Sequence, residues 1–185
     1  MLKKITGTSI ANLDEAGFSS ADIGTASSEV VGTMVGSLGS GGVSASELGG
    51  AIGKITAGAV NSLDQISGFS VASLGDTISS ITGGATAALG DISVTGFKSD
   101  NLSLMVEKVT AGATSALGNI SMTGYTSDNL SSMVGKVTAG ATGALGSISM
   151  EDADGGKFDA SDLAGMVEKI TAGAIGALGL SLIHI

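Results

Sequence analysis

Apolar and small residues recur along this chain at one helical spacing. From Leu102, the residues Met105, Val106, Val109, Ala113, Ala116, Leu117 and Ile120 follow at 3, 4, 7, 11, 14, 15 and 18 positions. That is a continuous stripe on a helix of 3.6 residues per turn. Leu130, Met133, Val134, Val137, Ala141, Ala144, Leu145 and Ile148 repeat it without a slip, and Leu74, Ile78, Ile81, Ala85, Ala88, Leu89 and Ile92 keep the same spacing. The charged pair Glu107 and Lys108 falls off the stripe. Ser99-Asp100-Asn101 and Ser127-Asp128-Asn129 stand just before two of the stripes, and all are residue types that cap helix N-termini. The pattern predicts helices of about 19 residues, each about 28 Å long.

The stripes belong to a repeated text. Lys108-Val-Thr-Ala-Gly-Ala-Thr-Ser-Ala-Leu-Gly118 returns as Lys136–Gly146 and Lys169–Gly179, with earlier variants at Lys54–Leu63 and Ser80–Leu89 and worn ones at Lys4–Leu13 and Glu29–Leu38. The copies start at 4, 29, 54, 80, 108, 136 and 169, in steps of 25, 25, 26, 28, 28 and 33. Periods of this size mark repeat architectures. Connections of seven to nine residues, Ser67–Ser73, Ser93–Asn101 and Ser121–Asn129, favour antiparallel neighbours. The expected fold is all-α: residues 1–185 form one tandem helical array of about seven copies, each an amphipathic helix plus a linker. The alternative is a β-solenoid, suggested by the period, by the Gly, Ser and Thr content and by local alternation in Ile120–Gly124. The helical offsets hold across five copies and the alternation does not, so helix is the expectation.

Three positions recur with the text. Gly58, Gly84, Gly112, Gly140 and Gly173 share one mid-helix place, followed four residues on by Ser62, Ala88, Ala116, Ala144 and Ala177. A mid-helix glycine costs up to about 1 kcal/mol relative to alanine. Small residues four apart let two helix backbones approach closely, so these glycines are expected at helix contacts. Thr56, Thr82, Thr110, Thr138 and Thr171 recur as well and read as a border between core and solvent. Gly17-Phe18, Gly68-Phe69, Gly96-Phe97 and Gly124-Tyr125 put an aromatic after a linker glycine, with Gly42-Val43 in the same place. A C-cap glycine and an apolar anchor folded onto the helix end account for that pairing.

Composition narrows the chemistry. Cysteine is absent, all eight basic residues are lysine, His184 is the only histidine, and the formal net charge is −9. No thiol nucleophile, disulfide framework or Cys-type zinc site is available. A metal site or triad built on histidine would need a positioned imidazole. An acidic chain without arginine is a poor nucleic-acid partner. Mean hydropathy is +0.46, but the longest uncharged stretches are rich in Gly, Ser and Thr, and no transmembrane segment is expected. Met1-Leu2-Lys3-Lys4 resembles the start of an export signal, yet Ile5-Thr6-Gly7-Thr8-Ser9 is too polar to continue one.

The connection Ser149–Asp162 is an acidic insertion of fourteen residues. It carries Glu151, Asp152, Asp154, Asp159 and Asp162 against Lys157 alone. Asp152-Ala-Asp-Gly-Gly-Lys-Phe-Asp-Ala-Ser-Asp162 resembles an EF-hand calcium loop. With Gly156 as the turn glycine, Phe158 takes the apolar place and Asp162 the closing acid, while Ala153 and Gly155 fall where side-chain oxygens are expected. Aligned from Asp152 instead, the loop recovers Asp154 and loses the glycine register. Across the two alignments the five acids are candidate ligands for weakly held Ca2+, the one cofactor weighed, against the plain reading of a solvated acidic linker. Beyond Gly179 the text gives way to an atypical apolar tail, Leu180–Ile185, with no polar capping repeat, as in a segment of a longer array.

The functional expectation is a non-enzymatic structural or interaction repeat protein. It would act on an unidentified protein or cell-surface partner, with self-association open, and be extracellular or at the cell surface if part of a longer exported chain. The alternative is a membrane-active protein that lays its apolar stripes on lipid.

Overall fold

The computed structural model describes residues 1–41, 44–92, 99–148 and 159–182. Among them the chain forms seven α-helices: α1 (Leu2–Glu15), α2 (Ser20–Gly36), α3 (Ala45–Ser62), α4 (Val71–Ala87), α5 (Ser99–Leu117), α6 (Ser127–Ala144) and α7 (Ala160–Leu182). Short 3-10 turns continue α2, α3, α4 and α6. No strand occurs among the described residues, which excludes the β-solenoid: the Gly, Ser and Thr content that suggested it serves helix contacts and caps instead.

The helices start at identifiable caps. The Ser44 hydroxyl accepts from the Glu47 N–H, and the Glu47 carboxylate takes the Ser44 N–H in return. Ser70 with Ser73, and Thr126 with Asn129, form the same reciprocal box. These arrangements satisfy backbone donors that a helix start otherwise leaves unpaired. Two starts differ in detail from the expectation. Ser70 lies inside the anticipated linker, and the cap of α6 is Thr126, so Ser127 already belongs to the helix. At the other end of α1, the Gly17 N–H bonds the Asp14 carbonyl and the Phe18 N–H bonds that of Leu13, with Gly17 at φ 82°. This is a Schellman ending, which needs a left-handed residue.

The tightest helix neighbours alternate along the chain. α3 packs on α1, α5 on α3 and α7 on α5, while α4 packs on α2 and α6 on α4. Contacts rise together in residue number along each pair. Lys3 meets Gly58 and Asp14 meets Ser67; Gly24 meets Thr77 and Gly36 meets Asp91. Alternate helices therefore run parallel. Ile10, Ile52 and Val109 from one set and Ile23, Ile78 and Val137 from the other are buried in a single apolar core. Small residues hold each set together side by side, and the large side chains fill the space between the sets.

Candidate interaction surface

The recurrent glycines lie at these alternate-helix contacts, all in one register. Gly58 sits over the carbonyl of Lys3, Gly84 over Ser28, Gly112 over Gly53, Gly140 over Ser79 and Gly173 over Glu107. Each carbonyl belongs to the residue just before the start of its own copy. A β-carbon built at any of the five would come within 3.0 Å of the partner's main chain. No relaxation of a side-chain tip could relieve that crowding. Small residues extend the contact: Gly7 lies against the Gly58 carbonyl, and Gly32 against that of Gly84 and the Ala88 methyl. Dispersion between the close backbones offsets the low helix propensity of glycine.

Thr56, Thr82 and Thr110 are fully buried rather than at a border. Their hydroxyls bond the carbonyls of Ile52, Ile78 and Val106, four residues back. They lie where the next helix of the set closes, as Gly140 against Thr82 and Gly173 against Thr110 demonstrate. Thr138 on α6 is half-buried and Thr171 on α7 is exposed, because α6 and α7 are the last described helices of their sets. The covered face of α5 carries Leu102, Val106 and Thr114 at 0, 0 and 1% exposure; on α7 the equivalent Leu163, Val167 and Ile175 stand at 40, 41 and 64%. An apolar face of α7 thus lies open in the register that α5 buries. At the opposite end, Thr8 of α1 and Thr33 of α2 occupy the glycine's place and are exposed.

The five acids of the insertion are only partly placed. Glu151, Asp152 and Asp154 lie outside the described residues. Asp159 and Asp162 cap α7: Asp159 Oδ1 accepts from the N–H groups of Ser161 and Asp162, and Asp162 Oδ2 accepts from that of Asp159. Two of the candidate calcium ligands therefore already satisfy a helix N-terminus. No group of three potential metal ligands occurs among the described residues.

Of the aromatics, Phe69 is buried, Tyr125 packs on the core, and Phe18 is 45% exposed; Phe97 and Val43 lie outside the described residues. The Tyr125 hydroxyl is buried without a hydrogen-bond partner, and burial pushes its pKa up to about 12. No described helix is long and apolar enough to cross a membrane.

One recurrent polar device escapes a reading by residue type. Asp14 accepts from the N–H and hydroxyl of Ser67, and Asp64 does the same for Ser121. These clamps tie the end of α1 to that of α3, and the end of α3 to that of α5. The signal was available: Asp14 and Asp64 each lie ten residues after their copy's start, and Ser67 and Ser121 thirteen after theirs.

The chain matches no protein-family model and no curated protein.

Proposed function

We propose that the protein is a non-enzymatic tandem helical repeat array that presents extended surface to a macromolecular partner. In this reading each copy contributes one helix, successive helices run antiparallel across the core, and the array extends by stacking. The observation that carries it is the common register of Gly58, Gly84, Gly112, Gly140 and Gly173 over the preceding helix of each set. The bond from the Thr6 hydroxyl, near the start of α1, to the Met34 sulfur, near the end of α2, supports the antiparallel order.

The reading is tested by duplicating residues 71–126, which hold α4 and α5, inside the full chain. A repeat array accepts the extra pair because each unit contacts only near neighbours. Helix content should grow in proportion to length, with one cooperative melt at or above the original temperature. Loss of cooperative melting would reject the array. Placement at a cell surface belongs to the same proposal and is tested by protease treatment of intact cells expressing the native gene; full protection would reject it.

Weak calcium binding by residues 149–162 completes the proposal. Imperfect oxygen spacing sets the expected affinity at roughly 10⁻⁴–10⁻³ M. Calcium should raise the melting temperature, and Asp152→Asn with Asp154→Asn should abolish the rise. A calorimetric titration without heat, together with an unshifted melt, would leave the segment a solvated linker.

A further inference from the structure

We infer that the open face of α7 is a docking site for one more helix of the array's own kind, running parallel to α7. This rests on the repeat-array reading and adds the chemistry of the occupant. Five successive interfaces place a glycine over the carbonyl that precedes a copy's start, on Lys3, Ser28, Gly53, Ser79 and Glu107. The next position in that series is Glu168. Around it lie Leu163, Val167, Thr171 and Ile175, all exposed, while their counterparts Leu102, Val106, Thr110 and Thr114 on α5 are buried, with Gly173 of α7 against Thr110. The Thr171 hydroxyl bonds the Val167 carbonyl as the buried threonines bond theirs, so the face is already in the form its covered siblings take.

A lysine one turn before the glycine pairs with an acid in two of the five contacts. Lys169 Nζ lies 3.2 Å from Glu107 Oε2, and Gly173, four residues on, covers the Glu107 main chain. In the other set Lys136 pairs with Asp76 at 2.7 Å, four residues before Gly140. Glu168 repeats Glu107 on α7. The occupant is thus an amphipathic helix with a lysine, a glycine four residues later and a small residue four after that. A second copy of this chain cannot offer its first helices in this way. Thr8 and Thr33 stand where the glycine must be, and a β-branched side chain has no room over a carbonyl at such contacts.

The test uses the full chain and a fluorescent peptide of residues 99–118, which carries Lys108, Gly112 and Ala116. Anisotropy should rise to saturation, with helix gained by the peptide. Gly112→Leu in the peptide should weaken binding roughly tenfold or more, as overpacking at a close contact does. Ile175→Glu in the chain should weaken it similarly while the chain's own melt stays unchanged, since Ile175 is exposed. Glu168→Lys should weaken binding of the native peptide, and Lys108→Glu in the peptide should restore it. Absence of saturable binding would overturn the inference. So would equal binding of the Gly112→Leu peptide, which means unspecific apolar adhesion. Sedimentation showing a dimer of the chain that Ile175→Glu dissolves would give the face to a second copy and overturn it as well. None of these failures touches the duplication experiment, so the array reading can survive them.

Discussion

Gly112 of α5 lies against Gly53 of α3, backbone on backbone, and a β-carbon at Gly112 would stand 3.0 Å from the Gly53 Cα. Helix propensity and tertiary packing pull in opposite directions at this position. Gly135 of α6 faces open space, with no atom within 4 Å of a built β-carbon. The two glycines should therefore respond with opposite signs. Gly135→Ala should stabilise by about 0.5–1 kcal/mol through propensity. Gly112→Ala should destabilise by about 1–3 kcal/mol through overpacking, and Gly112→Leu by more than Ser115→Leu on the exposed side. Urea melts check both signs; stabilisation by Gly112→Ala would mean the helices can part freely.

Thr86 and Thr114 are buried with hydroxyls that find no partner. Other copies carry Ile10, Val35, Val60 and Ile175 at the same place. An unpaired buried hydroxyl costs about 1–3 kcal/mol. Thr114→Val should thus stabilise the chain by about 1 kcal/mol in denaturant melts, whereas Thr110→Val, which deletes a made hydrogen bond, should not.

The Asp64–Ser121 clamp joins the ends of two helices far apart in sequence. A double-mutant cycle with Asp64→Ala and Ser121→Ala should give a coupling of about 0.5–1.5 kcal/mol, the net worth of a hydrogen-bonded pair. Additive effects would show that the two residues act independently.

Tyr125 is the single tyrosine and no tryptophan is present, so phenolate absorbance reports one site. Its folded pKa is raised from 10.0 to about 12 by burial. The folded chain then holds the phenol proton more tightly than the unfolded chain. The stability linked to this group is complete below pH 10 and is lost as pH rises through about 12. Absorbance should titrate near 12 in the native protein and near 10 in denaturant, and Tyr125→Phe should remove this alkaline loss. Equal midpoints would place the hydroxyl in solvent.

Helix and its apolar stripe were legible because Leu102–Ile120 and its copies keep helical offsets, a local property of the text. The glycines were legible as contacts because a residue unfavourable in helices recurs with a small residue four positions on. The threonines were misplaced, since Thr56, Thr82 and Thr110 carry a polar atom that a reading by type puts at a border. Bonding to their own helix lets them enter the interior. Asp14, Asp64, Ser67 and Ser121 passed unread because each looks like an ordinary linker residue until its partner helix is beside it. Asp159 and Asp162, two of the five metal candidates, also cap α7, a role that acids before a helix equally predict.

The sequence by itself determined that the chain is helical, where its stripes lie and which glycines must meet another backbone. Tertiary structure decided which backbone. Every copy presents nearly the same stripe, so periodicity cannot distinguish the next helix in the chain from the one after it. That choice depends on shape. The large side chains need the width of the core between the two sets, while a glycine four residues from an alanine fits only a helix at backbone distance. The close partner is therefore the alternate helix, and the same rule leaves Thr171 and its apolar neighbours on α7 open.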